Sequence, residues 1–260
     1  MKKIVSIVLL VCMLLCGALP LSSCSKNPAA VVTAAMIRTG KLDSYEAFMI
    51  VDMTTFVLGV EVSIPMEIRI KAQDVHGKTP KMSADMSITY DGHTTTDVVY
   101  VEGDWLYTYR DHEGVKAKME EDEAHDSDYL TSIKEMLQEL PDSLFEDAEL
   151  VENKNGSQTV KLELSDDELE DMFGNMLDSI SDGAGVDDVS TSDATVAITV
   201  KDRYVQSYRI AFDMYMDVEG YKTVTEVEVD LQFVNPGRDV EVEFPPDCED
   251  FKPVKIWDID

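Results

Sequence analysis

Basic side chains are scarce in this chain. Lys and Arg together number 22 against 52 Asp and Glu in 260 residues, a net charge of −30. Neutralising a phosphate backbone takes clustered Lys and Arg, so nucleic acid is excluded as a partner. The same imbalance excludes docking of the body of the chain on anionic lipid head groups. Histidines are few and scattered: His76, His93, His112 and His125 form no H-E-x-x-H pair. No G-x-S-x-G elbow occurs, and Gly183-Ala184-Gly185 lacks the rest of a phosphate-binding fingerprint. Cysteine is limited to Cys12, Cys16, Cys24 and Cys248, without the C-x-x-C spacing of a metal site. These absences argue against an enzyme and predict neither a cofactor nor a resident metal. Apolar residues are not lacking: at 44% hydrophobic, the chain has enough to build a core despite its charge.

The first segment with a clear meaning is the N-terminus. Lys2 and Lys3 precede an apolar run from Ile4 to Leu15 broken only by Ser6, and Cys16-Gly17-Ala18-Leu19-Pro20 follows. The run is too short to span a bilayer comfortably and reads as the apolar part of a secretory signal. Leu21-Ser22-Ser23-Cys24 then resembles the lipobox of bacterial lipoproteins. That resemblance implies cleavage after residues 1–23, transfer of diacylglycerol to the Cys24 thiol, and a mature chain anchored on the extracytoplasmic face of the cell membrane. Two acyl chains, at about 0.8 kcal/mol per buried methylene, would hold it effectively permanently. With Cys24 acylated and Cys12 and Cys16 removed, Cys248 is left alone and no intrachain disulfide supports the fold. The acidic body is expected to stand off from the membrane and to stay monomeric.

Residues 24–30 read as an anchored linker and 31–260 as one domain, since no break in composition divides them. Ala29 to Thr39 predicts a helix stopped by Gly40. From Tyr45 the apolar period becomes two: Tyr45 to Met53 reads as a strand apolar on both faces, and Val62 to Ala72 and Met82 to Tyr90 as half-buried strands with one wet face. Asp91-Gly92 and Glu102-Gly103 mark turns around Val98–Val101, and Trp105–Tyr109 follows. A helical stripe from Tyr129 to Leu140 and another from Leu169 to Ile180 lie in the interior. The second opens with the capping box Ser165-Asp166-Asp167-Glu168. Between them, Asn155-Gly156 predicts a hairpin joining Ala148–Val151 to Thr159–Leu164. Ala194–Val200, Tyr204–Val218 and Tyr221–Val234 read as long strands, and Val240–Phe244 as a short one before Pro245-Pro246. An α+β domain built on a large antiparallel sheet follows.

Three phrases carry a family resemblance: Val99-Tyr100-Val101-Glu102-Gly103-Asp104-Trp105-Leu106-Tyr107, Leu164-Ser165-Asp166-Asp167-Glu168-Leu169 and Val242-Glu243-Phe244-Pro245-Pro246-Asp247. With the order of elements, they resemble the LolA/LolB/LppX-like lipoproteins and carriers, and in particular the DUF6612-type small lipoproteins of Gram-positive bacteria. The resemblance implies a curved, half-barrel antiparallel sheet whose concave face is covered by helices and, in the better-known relatives, holds acyl chains. Methionine gives this a physical basis, being flexible and polarizable and so suited to apolar ligands of variable shape. Met66, Ile68, Met82, Met86, Met214 and Met216 on strand faces, with Met172, Phe173 and Met176 on a covering helix, are the expected ligand-binding residues. The same residues would also serve as plain core. Three rival sites can be read from the residues: calcium on the acidic runs Glu120–Asp128 and Asp182–Asp193, a ligand platform at Trp105, Tyr107 and Tyr109, and a partner surface on the sheet or the acidic loops.

Overall fold

The computed structural model describes residues 27–57, 60–110, 113–119, 142–169, 189–192, 194–218 and 221–255. Helix α1 (Pro28–Thr39) is followed by β1 (Ser44–Val57), β2 (Val60–Gln73), β3 (Lys81–Tyr90), β4 (His93–Glu102), β5 (Trp105–Arg110) and β6 (Glu113–Lys118). Then come β7 (Glu149–Glu152), β8 (Gln158–Leu164), β9 (Val189–Thr191), β10 (Ala194–Lys201), β11 (Tyr204–Val218), β12 (Tyr221–Phe233) and β13 (Lys252–Pro253). The strands form one open, curved sheet in the order β13-β6-β5-β4-β3-β2-β1-β12-β11-β10-β8-β7, with β9 pairing the far part of β11. Every pairing is antiparallel except that of β13 with β6.

Alternation along the strands gives the sheet an apolar core face and a polar outer face. Cross-strand register lines up apolar rows on the core face. One runs Leu150, Val160, Ile198, Tyr208, Leu231, Met49, Ile68 and Met86, crossing eight strands. Helix α1 packs against β10 and β11 through Val32, Ala35, Met36 and Thr39, spaced for one helical face. Asn27 caps its start, its Oδ1 accepting from the Ala30 N–H at 3.4 Å, and Pro28 occupies the first turn, where no intrahelical donor is lost. The Thr39 hydroxyl donates to Ala35 O at 2.9 Å and accepts from the Val205 N–H at 3.0 Å. This bond ties the end of α1 to the irregular start of β11, where the β10 register shifts at Thr199/Val200.

Most expected strands are present. β4 starts at His93, earlier than the apolar alternation indicated. Its His93-Thr94-Thr95-Thr96-Asp97 run is polar, yet threonine is β-branched and pairs across to β3, with Thr89 to Thr94 hydroxyls 2.9 Å apart. β6, β9 and β13 were not anticipated; β9 falls within Ser181–Asp193, a Ser/Asp/Gly-rich stretch expected to be a loop, and pairs with Met214–Met216 of β11. The expected strand Val240–Phe244 is a correction. This segment is extended but lies outside the ladder, its Val240 and Val242 N–H groups donating to the side chains of Ser44 (3.2 Å) and Gln73 (3.1 Å). Pro245 and Pro246, which lack donors, follow directly. The opening of the second interior helix is as expected: Glu168 Oε2 accepts from the Ser165 N–H at 2.9 Å and Ser165 Oγ lies 2.8 Å from it. The stripe Tyr129–Leu140 and the helix beyond Leu169 lie outside the described residues.

Candidate ligand-binding face

β-strand alternation places Met66, Ile68, Met82, Met86, Met214 and Met216 on the core face, together with Met49 and Met53. Their surroundings differ. Met82, Ile68 and Met214 are buried, at 2%, 4% and 3% exposure, and serve as core. Met66, Met86 and Met216 are only partly buried, as are Met49, Val51 and Met53 between them. Met66 stands beside Val51 and Ile88, and Met86 beside Ile68, so the half-covered residues on β1, β2 and β3 are contiguous. Met172, Phe173, Met176 and Cys24 lie outside the described residues.

The polar character of this face is low and localised. Thr55 and Thr225 share a hydroxyl–hydroxyl hydrogen bond of 2.8 Å, and buried Thr223 donates to Met216 O at 3.4 Å. Farther along β11, the Tyr208 side chain is 1% exposed. Burial pushes its phenol well above the ordinary value, so it stays neutral. Tyr45, at the edge of the same face, is pushed up by burial to about 12 and meets Phe233 edge-on at 5.9 Å.

The rival sites fare differently. Tyr107 and Tyr109 are not a free platform, because the C-terminal segment crosses them. Phe244 packs on Tyr100 and Tyr107 at 5.3 and 5.9 Å, and Phe251 stacks on Tyr109 at 6.0 Å. Gly114 makes room for this crossing, since a Cβ there would lie 2.5 Å from the Phe251 ring. Trp105 remains 38% exposed with Lys116 over its ring at 5.9 Å. Cys248 is partly buried, and burial followed by the carboxylates of Glu249 and Glu102 pushes its thiol up, which disfavours the thiolate a nucleophile needs. Among the described residues no cluster of His, Cys, Asp or Glu is arranged to hold a metal ion, and no helix is long and apolar enough to cross a membrane. The acidic run Glu120–Asp128 and most of Asp182–Asp193 lie outside the described residues. The outer face carries an open groove of about 390 Å³ bordered by Asp52, Asp213, Glu226 and Glu228. Asp52 faces Glu228, and Asp213 faces Glu226, across neighbouring strands.

A family model described as a family of unknown function, DUF6612, matches residues 27–249. The chain belongs to the DUF6612 family. No curated protein matches the sequence. Among solved structures, LprF from Mycobacterium bovis is similar at 11% identity and a TM-score of 0.44, covering 84% of this chain and 96% of its own. A LolA superfamily protein from Nitrosomonas europaea is similar at 9% identity and a TM-score of 0.27, over 83% of this chain and 95% of its own. A DUF1329 family protein from Desulfovibrio piger follows at 13% identity, a TM-score of 0.27, and 84% and 96% coverage. The DUF6612 match takes in α1 and β1 to β12, and so the whole methionine-bearing face.

Proposed function

We propose that this DUF6612 chain is an extracytoplasmic lipoprotein, anchored through diacylglycerol on Cys24, that holds an apolar acyl ligand on the core face of its sheet. Residues 1–23 are the signal, 24–30 the tether and 31–260 the binding domain, which works as a monomer without catalysis. One observation carries the ligand reading: Met49, Met53, Met66 and Met86 form a contiguous, half-buried apolar surface on three central strands. Covering such surface gains about 25 cal/mol per Å², and thioether side chains adapt to the shape of what covers it. The acidic exterior keeps the loaded protein soluble. A second reading, contact with an envelope protein, is favoured by Phe48, Phe56 and Tyr215, which are 37%, 43% and 41% exposed.

All described elements fall between Pro28 and Pro253, so a soluble fragment of residues 25–260 contains every one of them. Gentle purification of that fragment, solvent extraction and mass spectrometry of the extract should return acyl lipid in stoichiometric amount. An empty extract together with no saturable binding of a fluorescent lipid would turn the search to protein partners. For the anchor, Cys24→Ala in the full chain should release the protein from membranes, and full retention would end the lipoprotein reading.

A further inference from the structure

The outer face of the sheet, opposite the methionines, pairs acids with bases at several places. Glu46 meets Arg69 at 2.8 Å, Glu102 meets Lys81 at 2.8 Å and Glu149 meets Lys161 at 3.4 Å. Around the groove on β1, β12 and β11 the pattern breaks. Asp52 stands opposite Glu228, and Glu226 opposite Asp213. Of these four, among the described residues, only Glu228 meets a cation: Arg209 at 3.2 Å, which Asp230 shares at 3.1 Å. Like charges directly opposite across strands destabilise a sheet, so the central strands carry a repulsion that a basic partner would relieve.

The next row along these strands is apolar. Phe56, Val224 and Tyr215 stand side by side on the same face, about 7 Å beyond Glu226 and Asp213. Phe56 and Tyr215 are both exposed, which leaves this part of the sheet without a cover among the described residues. Exposed aromatics are enriched where proteins meet, and the charges beside them select the partner.

Charge and shape narrow the occupant. A second copy of this chain, at a net charge of −30, would be repelled, as would nucleic acid and anionic lipid. The groove, about 390 Å³ and open, does not offer the close oxygen shell a metal ion needs, and no metal-holding cluster occurs among the described residues. An extended polypeptide fits better. Its alternate side chains recur every ~7 Å, the same spacing as the two acidic rows and the aromatic row.

We propose that the outer face of β1, β12 and β11 docks an extended segment of an extracytoplasmic protein. Two basic side chains, two residues apart, lie over Asp52, Glu228, Glu226 and Asp213, and an apolar side chain two residues further lies over Phe56 and Tyr215. This docking rests on the envelope-contact reading above and is independent of the acyl ligand, which concerns the opposite face.

The test uses the full chain in non-ionic detergent and the fluorescence polarisation of a labelled peptide carrying Lys-Ser-Lys-Ser-Trp. Wild type should bind it saturably, at least about tenfold more tightly than the same peptide with Glu in place of Lys, and more weakly as salt rises. Asp52→Asn combined with Glu226→Gln should weaken binding about tenfold while the melting temperature stays equal or rises, because repulsion has been removed. Glu149→Gln, at a paired acid on β7, should change nothing. Unchanged affinity in the double variant, or an equal loss in Glu149→Gln, would overturn the proposal. So would a calcium-induced rise in melting temperature that wild type shows and the double variant lacks, since the groove would then belong to a cation. If Phe56→Ser with Tyr215→Ser abolishes binding while the acid variant binds normally, an envelope contact survives and the basic partner does not. If the double acid variant does not fold, carbodiimide coupling of the bound peptide to wild type decides. Coupling at Asp52, Asp213, Glu226 or Glu228 supports the docking site, and coupling confined to other acids overturns it. Failure of wild type to bind the peptide would overturn it as well and leave the acyl-ligand reading untouched.

Discussion

The two halves of the core face are built differently. Towards β8, β10 and β11, under α1, Val160, Ile198, Val196 and Tyr208 are 0–2% exposed. Towards β1, β2 and β3, the same rows continue into Met49, Val51, Met53, Met66 and Met86, which are only partly covered. The first half is rich in branched side chains with few rotamers, and the second in unbranched methionine. A rigid half suits a fold with no disulfide among its described residues, and an adaptable half suits a surface whose partner is not part of the fold.

The sharpest way to break this comparison is truncation on each side. Ile198→Ala should cost about 3 kcal/mol, since a fully buried isoleucine loses both transfer energy and packing. Met86→Ala should cost less than about 1.5 kcal/mol, because part of its surface is already wet. Urea denaturation of both variants measures this. Equal losses would mean that the methionine half is ordinary core.

A charge sharpens the functional side. Met86→Asp places a carboxylate opposite Asp97, and a like-charged cross-strand pair should cost up to about 1 kcal/mol of stability. Affinity for an acyl probe should fall at least tenfold, about 1.4 kcal/mol, because the ligand surface would now carry a charge. Saturable binding with unchanged affinity would move the ligand off this face.

How much of this was legible in the sequence depended on where each residue's partners lie. β2, β3 and β10 to β12 each alternate against one wet face, so Met82 and Met86 or Met214 and Met216 announce their shared side within a few residues. Turns were equally local: Asp91-Gly92, Gly103 and Gly156 adopt the positive φ their turn positions require. β6 was hidden because Glu113-Gly114-Val115-Lys116-Ala117-Lys118 offers only Val115 and Ala117 as apolar residues. Its place depends on β5 on one side and β13, more than a hundred residues later, on the other. The crossing of Phe244 and Phe251 over Tyr107 and Tyr109 is likewise a long-range contact that no spacing rule encodes. Of the binding face, the methionines were legible. Their division into buried and half-buried sets was not, because burial depends on what covers each strand rather than on its alternation.

The smallest effect belongs to the packed half and should leave the binding half untouched. Ser165 follows Leu164 at the end of β8, and its cap brings Leu169, fully buried, into the core. The Glu168 carboxyl is held below the ordinary carboxylate value of 4.5, first by the Ser165 N–H and then by the Ser165 hydroxyl. A depressed value in the folded state means the ionised form is the one the fold favours. Its contribution is thus complete above about pH 4.5, the unfolded value, and disappears as pH falls through the lower folded value. Because this carboxyl is almost wholly solvent-exposed, screening keeps the effect to a few tenths of a kcal/mol. Glu168→Gln should therefore be slightly less stable than wild type in urea at pH 7, and the gap should close at acid pH. Acyl-probe affinity should not change at either pH. A gap that persists in acid would assign the effect to cap geometry rather than charge, and a loss of affinity would show that the two halves of the face are coupled through this helix.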